Sequence, residues 1–275
     1  MCSTKDLRMS KGFIWLCQNT ETTDYVKCSI ELARSIKQHN RENSICVLVD
    51  QRSFFESPHV DIVRVLPTDH SMDHAKKFAN EYQVFALSPF THSIKLEADM
   101  LWTANTDWWW NHLWQHDLIF SVNCLNYRGQ TVVDTNYRKL FVKNNLPNIY
   151  NGLTYFRRSQ RAKKFFSLCQ QLAENWPHVR DDLLINCHDL YPTTDVIYAL
   201  AYRMMDPTQE QLIDYPWFKF VHGKPAINLS PIADCDNYLY PVRLDDRLYL
   251  GGRRLTQVWH YHDKKIPEVL NARTF

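Results

Sequence analysis

Hydrophobic positions fall into short runs separated by polar stretches. Gly12–Cys17 (GFIWLC), Ser44–Asp50 (SICVLVD) and Val60–Leu66 (VDIVRVL) read as strands, the third stopped by Pro67. Between the first two, Tyr25, Cys28, Ile30, Leu32, Ala33 and Ile36 recur close to helical spacing, with Thr22 or Thr23 as the candidate cap. Strand, helix, strand at this spacing predicts an α/β unit with a parallel sheet.

Further along, Ala79–Leu87 reads as a short helix ended by Ser88-Pro89. Ser93–Trp102 reads as a strand that runs into two acids and emerges apolar. Leu118–Val122, Ile149–Phe156 and Val258–His262 read as further strands. Ser159–Leu172 reads as a helix with Phe165, Leu168, Cys169 and Leu172 inward and Arg161, Lys163 and Lys164 outward. Thr193 or Thr194 caps a helix through Ile197, Leu200 and Ala201. No repeat, low-complexity tract or linker interrupts the chain, so one domain over residues 1–275 is expected.

Composition narrows the chemistry. Six glycines in 275 residues is about 2%, against roughly 7% in average proteins, and neither G-x-G-x-x-G nor G-x-x-x-x-G-K-[ST] occurs. A nucleotide, if bound, is not held by a glycine-rich phosphate loop. The eight cysteines include no C-x-x-C pair and most sit in apolar runs, which suits buried, reduced thiols. The N-terminus is polar and no apolar run is long enough to span a bilayer. A soluble protein of the cytoplasm, with no membrane partner, is the expectation. The balance of 32 basic and 30 acidic residues neither announces nor excludes a nucleic-acid partner.

The densest chemistry lies in Ile94–Trp102. Glu97 and Asp99 would alternate in direction on a continuing strand, but at a strand end both can reach one ligand. A carboxylate together with substrate phosphates is a usual way to hold Mg²⁺ or Mn²⁺. Trp108, Trp109, Trp110 and Trp114 could stack on sugars or bases, although the helical spacing of Trp110, Leu113 and Trp114 favours core packing.

The stretch Leu87–Met100 (LSPFTHSIKLEADM) resembles the L-P-F-x-x-h-h-h-L-D-x-D segment of GT-A nucleotide-sugar glycosyltransferases, in particular the glycogenin and galactosyltransferase-like branch. Asp99 matches the metal-binding acid, and Glu97 stands where that family usually has Asp. Three further segments match in chain order. Thr22–Lys37 resembles the opening helix near the nucleotide base. Tyr150–Phe156 (YNGLTYF) resembles the segment lining the sugar and acceptor side. Val258–His262 with Lys264 and Lys265 resembles the C-terminal histidine–lysine element.

The resemblance implies a single Rossmann-like GT-A domain, with a mixed, mainly parallel central sheet flanked by helices. The nucleotide-binding part would cover about 11–122 and the acceptor side about 123–275. The implied cofactor is a divalent metal held by Asp99 and a histidine: His260 first, then His222, then His262. The implied donor is a nucleotide sugar, UDP-linked, touched by Thr20, Thr22, Tyr25, Asp50, Glu97, Lys264 and Lys265. Asn151 and Asp195 are the implied catalytic residues. Asp195 would accept the proton of the incoming hydroxyl, with Asp181 and Asp182 as alternatives.

Tyr215–Phe218, Phe220–His222 and His260–Lys264 also resemble glycosyltransferases of T-even-like bacteriophages, which implies 5-hydroxymethylcytosine in DNA as the acceptor. Arg157, Arg158 and Arg161, and a second group of Arg243, Arg247, Arg253 and Arg254, are the basic residues that could track phosphates. The alternatives are a glycan acceptor, as in lipopolysaccharide or capsule assembly, and a non-catalytic nucleotide- or nucleic-acid-binding module.

Overall fold

The computed structural model describes residues 11–70, 79–133, 136–228, 241–244 and 247–271. The chain begins with β1 (Lys11–Cys17), α1 (Tyr25–His39), β2 (Ser44–Val49) and β3 (Ile62–Val65). It continues through α2 (Gln83–Leu87), β4 (His92–Leu96), β5 (Met100–Leu101), α3 (Trp109–Leu113), β6 (Leu118–Val122), β7 (Cys124–Leu125) and β8 (Thr131–Val132). Then come α4 (Lys139–Lys143), β9 (Ile149–Arg157), α5 (Gln160–Glu174), α6 (Thr194–Met205) and β10 (Phe220–His222). The last elements are β11 (Pro241–Leu244), β12 (Arg247–Leu250), β13 (Arg253–Arg254), β14 (Val258–His260) and α7 (Ile266–Asn271).

The main sheet has six strands in the order β3-β2-β1-β4-β9-β6. β1 pairs in parallel with β2 and β4, and β2 with β3, while β9 runs antiparallel to both β4 and β6. Strands buried on both faces carry near-continuous apolar sequence, as β1 and β2 do. Alternation along β1 still sorts the core. Phe13 and Trp15 join the cluster under α1, whereas Ile14 joins the cluster formed by α5 and α6 on the opposite face.

Several sequence expectations change in detail. Helix α1 is capped by Asp24, whose carboxylate accepts from the Lys27 N–H at 3.2 Å, and not by Thr22 or Thr23. An ionised acid at this end also complements the helix dipole. Ala79–Tyr82 forms a 3₁₀ turn, and only Gln83–Leu87 is α-helical. Thr193 stands at the start of α6 but its side chain makes no capping bond. Trp109 and Trp110 are core residues, whereas Trp108 and Trp114 are about half exposed, Trp114 lying on the His92 ring at 3.7 Å.

The predicted strand over residues 93–102 is broken at its acids. β4 ends at Leu96, residues 97–99 turn, and Met100–Leu101 belongs to a second sheet ordered β5-β14-β10-β7-β8. The chain therefore passes from one sheet to the other across Glu97 and Asp99. A third sheet, β11-β12-β13, carries Arg243, Arg247, Arg253 and Arg254. Among the described residues, no helix is long and apolar enough to cross a membrane. Cys17, Cys28, Cys46, Cys124 and Cys169 are buried free thiols, and burial pushes Cys17 up to about 12, so it stays protonated. Cys2 and Cys235 lie outside the described residues.

Candidate metal centre and cleft

In an open α/β sheet, ligands collect beyond the carboxyl ends of the strands where the strand order reverses. Here β1 sends the chain outward to β2 on one side, and β4 lies on its other side. Glu97 and Asp99 follow β4 at that edge. β14 brings His260 to them through the second sheet, where His260 pairs with Met100. His260 Nε2 lies 3.3 Å from Glu97 Oε2 and 3.3 Å from Asp99 Oδ2. Among the described residues these three form the one group of His, Cys, Asp or Glu able to hold a metal ion, their ligand atoms all within 4.8 Å of one another.

A glycine makes room for the first acid. A Cβ on Gly152 of β9 would stand 2.8 Å from Glu97 Oε2 and 2.9 Å from Met100 Cε. Glycine is the residue type that permits this approach.

Charge is balanced locally. Burial works against the charged form of Asp99, but His260 and Lys264 outweigh it and hold the carboxyl well below the usual carboxylate range. Lys264 donates from Nζ to Asp99 Oδ2. Burial raises Glu97 above that range, and the pull of His260 and Lys95 does not undo it. Burial opposes protonation of His260, yet Asp99 and Glu97 carry its pKa upward. The set is two carboxylates and one imidazole, a donor group suited to Mn²⁺ and, through its oxygens, to Mg²⁺.

The cluster opens on a cleft of about 380 Å³. Glu97, His222, His260, Asn151 and Asp195 all line it, with Tyr150 and Phe220 as aromatic walls. His222 pairs with His260 across β10 and β14, and the two rings stack with centroids 4.8 Å apart. His262 lies just beyond the end of β14 and is exposed.

The remaining expected residues are placed unevenly. Tyr25 is half-buried near the acids, and its hydroxyl pKa is raised by burial and by the charges of Asp99 and Glu97. Thr20, Thr22 and Asp50 lie on loops at the carboxyl ends of β1 and β2 but do not line the cleft. Asp50 is buried and engaged locally, accepting from Ser53 N–H at 2.7 Å and from Arg52 at 3.0 Å. Lys265 is exposed.

Arg157 and Arg158 are not brought to the cleft. Arg157 ends β9 six residues past Asn151, about 20 Å along the strand. Its guanidinium pairs with Asp117 at 2.6 Å, and Arg158 donates to the carbonyls of Ser88 and Phe90. Arg161, in α5 just beyond them, bonds to Gln211 at 2.5 Å.

Sequence reasoning missed Lys95, Glu81 and Arg138. Lys95 is fully buried, 3.0 Å from Glu81 and 3.2 Å from the Asn151 carbonyl. A lysine inside the apolar run SIKL was its only signal. Arg138 is a buried guanidinium on the cleft wall, and nothing in its local sequence marks it. Compared with known proteins, the chain matches no family model and no curated protein.

Proposed function

We propose that this chain is a metal-dependent glycosyltransferase of GT-A type, moving a sugar from a UDP-linked nucleotide sugar to an acceptor hydroxyl. The observation that carries the reading is the Glu97–Asp99–His260 cluster at the carboxyl end of β4, beside the switch point and opening on one cleft. Asp99 and His260 would hold the ion, with Glu97 as third ligand. When bound, Mn²⁺ or Mg²⁺ supplies positive charge to the departing diphosphate.

The chain's own groups complete the account. Lys264, beside Asp99, offers a second cation to the diphosphate. Asn151 Nδ2 is buried on the cleft wall without a hydrogen-bond partner among the described residues and fits a hydrogen bond to a sugar oxygen. In the transfer, the bond between the anomeric carbon and the diphosphate oxygen breaks, and the acceptor oxygen bonds to that carbon. The acceptor hydroxyl releases its proton to solvent.

The acceptor in this reading is 5-hydroxymethylcytosine in DNA, flipped from the stack to reach the cleft. Support for DNA comes from the phage-like segments and not from Arg157, Arg158 and Arg161, whose side chains are engaged elsewhere. The test is a panel of sugar nucleotides with Mn²⁺, offered plain DNA, hydroxymethylcytosine DNA and an oligosaccharide. Products are read by mass spectrometry. Sugar on hydroxymethylcytosine supports the full reading, and sugar on the oligosaccharide alone moves the acceptor to glycans. Donor binding without hydrolysis or transfer defeats the enzyme reading and leaves a binding module.

A further inference from the structure

The carboxylate of Asp195, partly exposed on the cleft wall, holds one donor on each oxygen. Its Oδ1 accepts the backbone N–H of Asn151 at 2.8 Å, and its Oδ2 meets Arg138 Nη2 at 3.0 Å. Arg138 is itself fixed on every side. Its Nη1 donates to Asn148 Oδ1 at 2.5 Å and to the Ile149 carbonyl at 3.1 Å. Its guanidinium lies 3.5 Å from the Phe141 ring centroid and 4.2 Å from that of Tyr150. A planar guanidinium held between rings and bonded to a carboxylate loses little freedom on pairing.

The carbonyl side of Asn151 is held as well. Its carbonyl accepts from Lys95 Nζ at 3.2 Å and from Thr154 Oγ1 at 3.2 Å. Lys95 is fully buried and tied to Glu81 at 3.0 Å. Two buried cations, each anchored by an acid, thus grip one residue from its N–H side and its carbonyl side. The gripped residue is only 3% exposed, and its side-chain Nδ2 has no hydrogen-bond partner among the described residues. A buried donor left unpaired is costly unless something in the cleft accepts from it.

We infer that Arg138 and Asp195, with Lys95 opposite, form a clamp that aims the Asn151 amide into the cleft. Asp195 is then a positioning residue and not the acceptor of the substrate's proton. Both of its oxygens are already engaged, Oδ1 by the Asn151 N–H and Oδ2 by the Arg138 guanidinium. The clamp stands on geometry alone. Its consequence for turnover rests on the glycosyltransferase reading above.

The two parts are tested separately. The clamp is read without substrate, in protein labelled with ¹⁵N-asparagine, where the side-chain amide pair of Asn151 is assigned by its loss in Asn151→Asp. In Arg138→Met that pair shifts or broadens, while the pairs of Asn40 and Asn80 keep their positions and report an intact fold. An unmoved Asn151 pair overturns the clamp.

Turnover is read as hydrolysis of UDP-glucose and UDP-galactose with Mn²⁺. Asp195→Asn and Asn151→Ala are each expected to lower kcat/KM, and the double variant to fall within about twofold of the worse single one, since the two act as a unit. The acidic limb of the pH–rate profile persists in Asp195→Asn. Arg138→Lys keeps the charge but not the two-point grip, and restores little. A lost acidic limb with a fall of about 10²–10⁴ in kcat at unchanged KM makes Asp195 a base and overturns the positioning role. If the unsubstituted protein turns over neither donor, the enzyme reading loses its donor and the amide spectrum alone decides the clamp.

Discussion

His222 lies flat against His260, ring planes 7° apart, yet the two imidazoles are driven toward opposite charge states. Burial and the neighbouring His260 hold His222 well below the ordinary histidine range, whereas Asp99 and Glu97 carry His260 above it. Stacking places one ring behind the other, so only the front one meets the carboxylates. His260→Ala should therefore lower Mn²⁺ affinity by more than the roughly 10–100-fold expected of a residue acting from behind a ligand, and His222→Ala by no more than that. A Mn²⁺ titration followed by electron paramagnetic resonance separates them, and the reverse order would make His222 the ligand.

Gly152 and Glu97 give a second outcome. In Gly152→Ala the new methyl group meets the Glu97 carboxylate and Met100, so the acid must withdraw. Overpacking of this kind costs about 1–3 kcal/mol of stability. Mn²⁺ affinity should fall with it. Adding Glu97→Asp shortens the acid and should recover part of both losses, read by urea unfolding and the same titration. A double variant worse than either single one would show that the methyl group clashes elsewhere.

His92 gives the pH dependence. It is buried, with Nδ1 2.6 Å from the Tyr155 hydroxyl, and burial together with the charge of Arg157 lowers its pKa to about 4. The folded protein thus binds this proton less readily than the unfolded chain, whose histidines titrate near 6.5. The stability it contributes is full above about pH 6.5 and lost as pH falls toward 4, with a slope of at most about 1.4 kcal/mol per pH unit. His92→Gln should flatten that part of the profile in urea unfolding between pH 7 and 4. An unchanged slope would place the proton uptake elsewhere.

Arg158 separates scaffold from polyanion contact. Its bonds to the Ser88 and Phe90 carbonyls tie the end of β9 to the turn before β4. Arg158→Ala should cost about 1–3 kcal/mol in denaturant unfolding, because partly buried carbonyls lose their donor. Arg161→Ala, which loses a bond to exposed Gln211 and a contact with the Tyr202 hydroxyl but leaves no backbone carbonyl without its donor, should cost less than Arg158→Ala. Equal losses would contradict these placements. A fall in DNA affinity without any loss of stability would return Arg158 to the phosphate-tracking role.

Much of the main sheet was legible because its physics is local. Apolar runs at 12–17 and 44–49 and the helical spacing of Cys28, Leu32 and Ile36 needed no tertiary information. Placing Asp99 near His260 came from the resemblance, and the structure brings the two together. That Met100–Leu101 joins a second sheet was not legible, because the apolar pattern resumes after the acids while hydrogen bonding hands it to β14. Thr22 and Thr23 looked like caps, yet Asp24 is the residue whose side chain reaches the helix N–H. Arg138 and Lys95 escaped for a different reason. A buried cation is recognised by its anion, and Asp195 and Glu81 are distant in sequence from the residues they neutralise.

The turn from Glu97 to Asp99 is also the seam between two sheets of unequal strength. On one side β4 is locked between β1 and β9 over most of its length, while on the other β5 is two residues long and meets β14 at Leu101–Trp259 and Met100–His260. A ligand that joins Glu97 and Asp99 to His260 rivets the weaker sheet to the stronger one. By mass action that adds its binding energy to the persistence of β14, so the backbone amides of Trp259 and His260 should exchange with solvent more slowly in proportion to ligand concentration over its Kd. Hydrogen exchange there reads occupancy of the centre without any chemistry taking place.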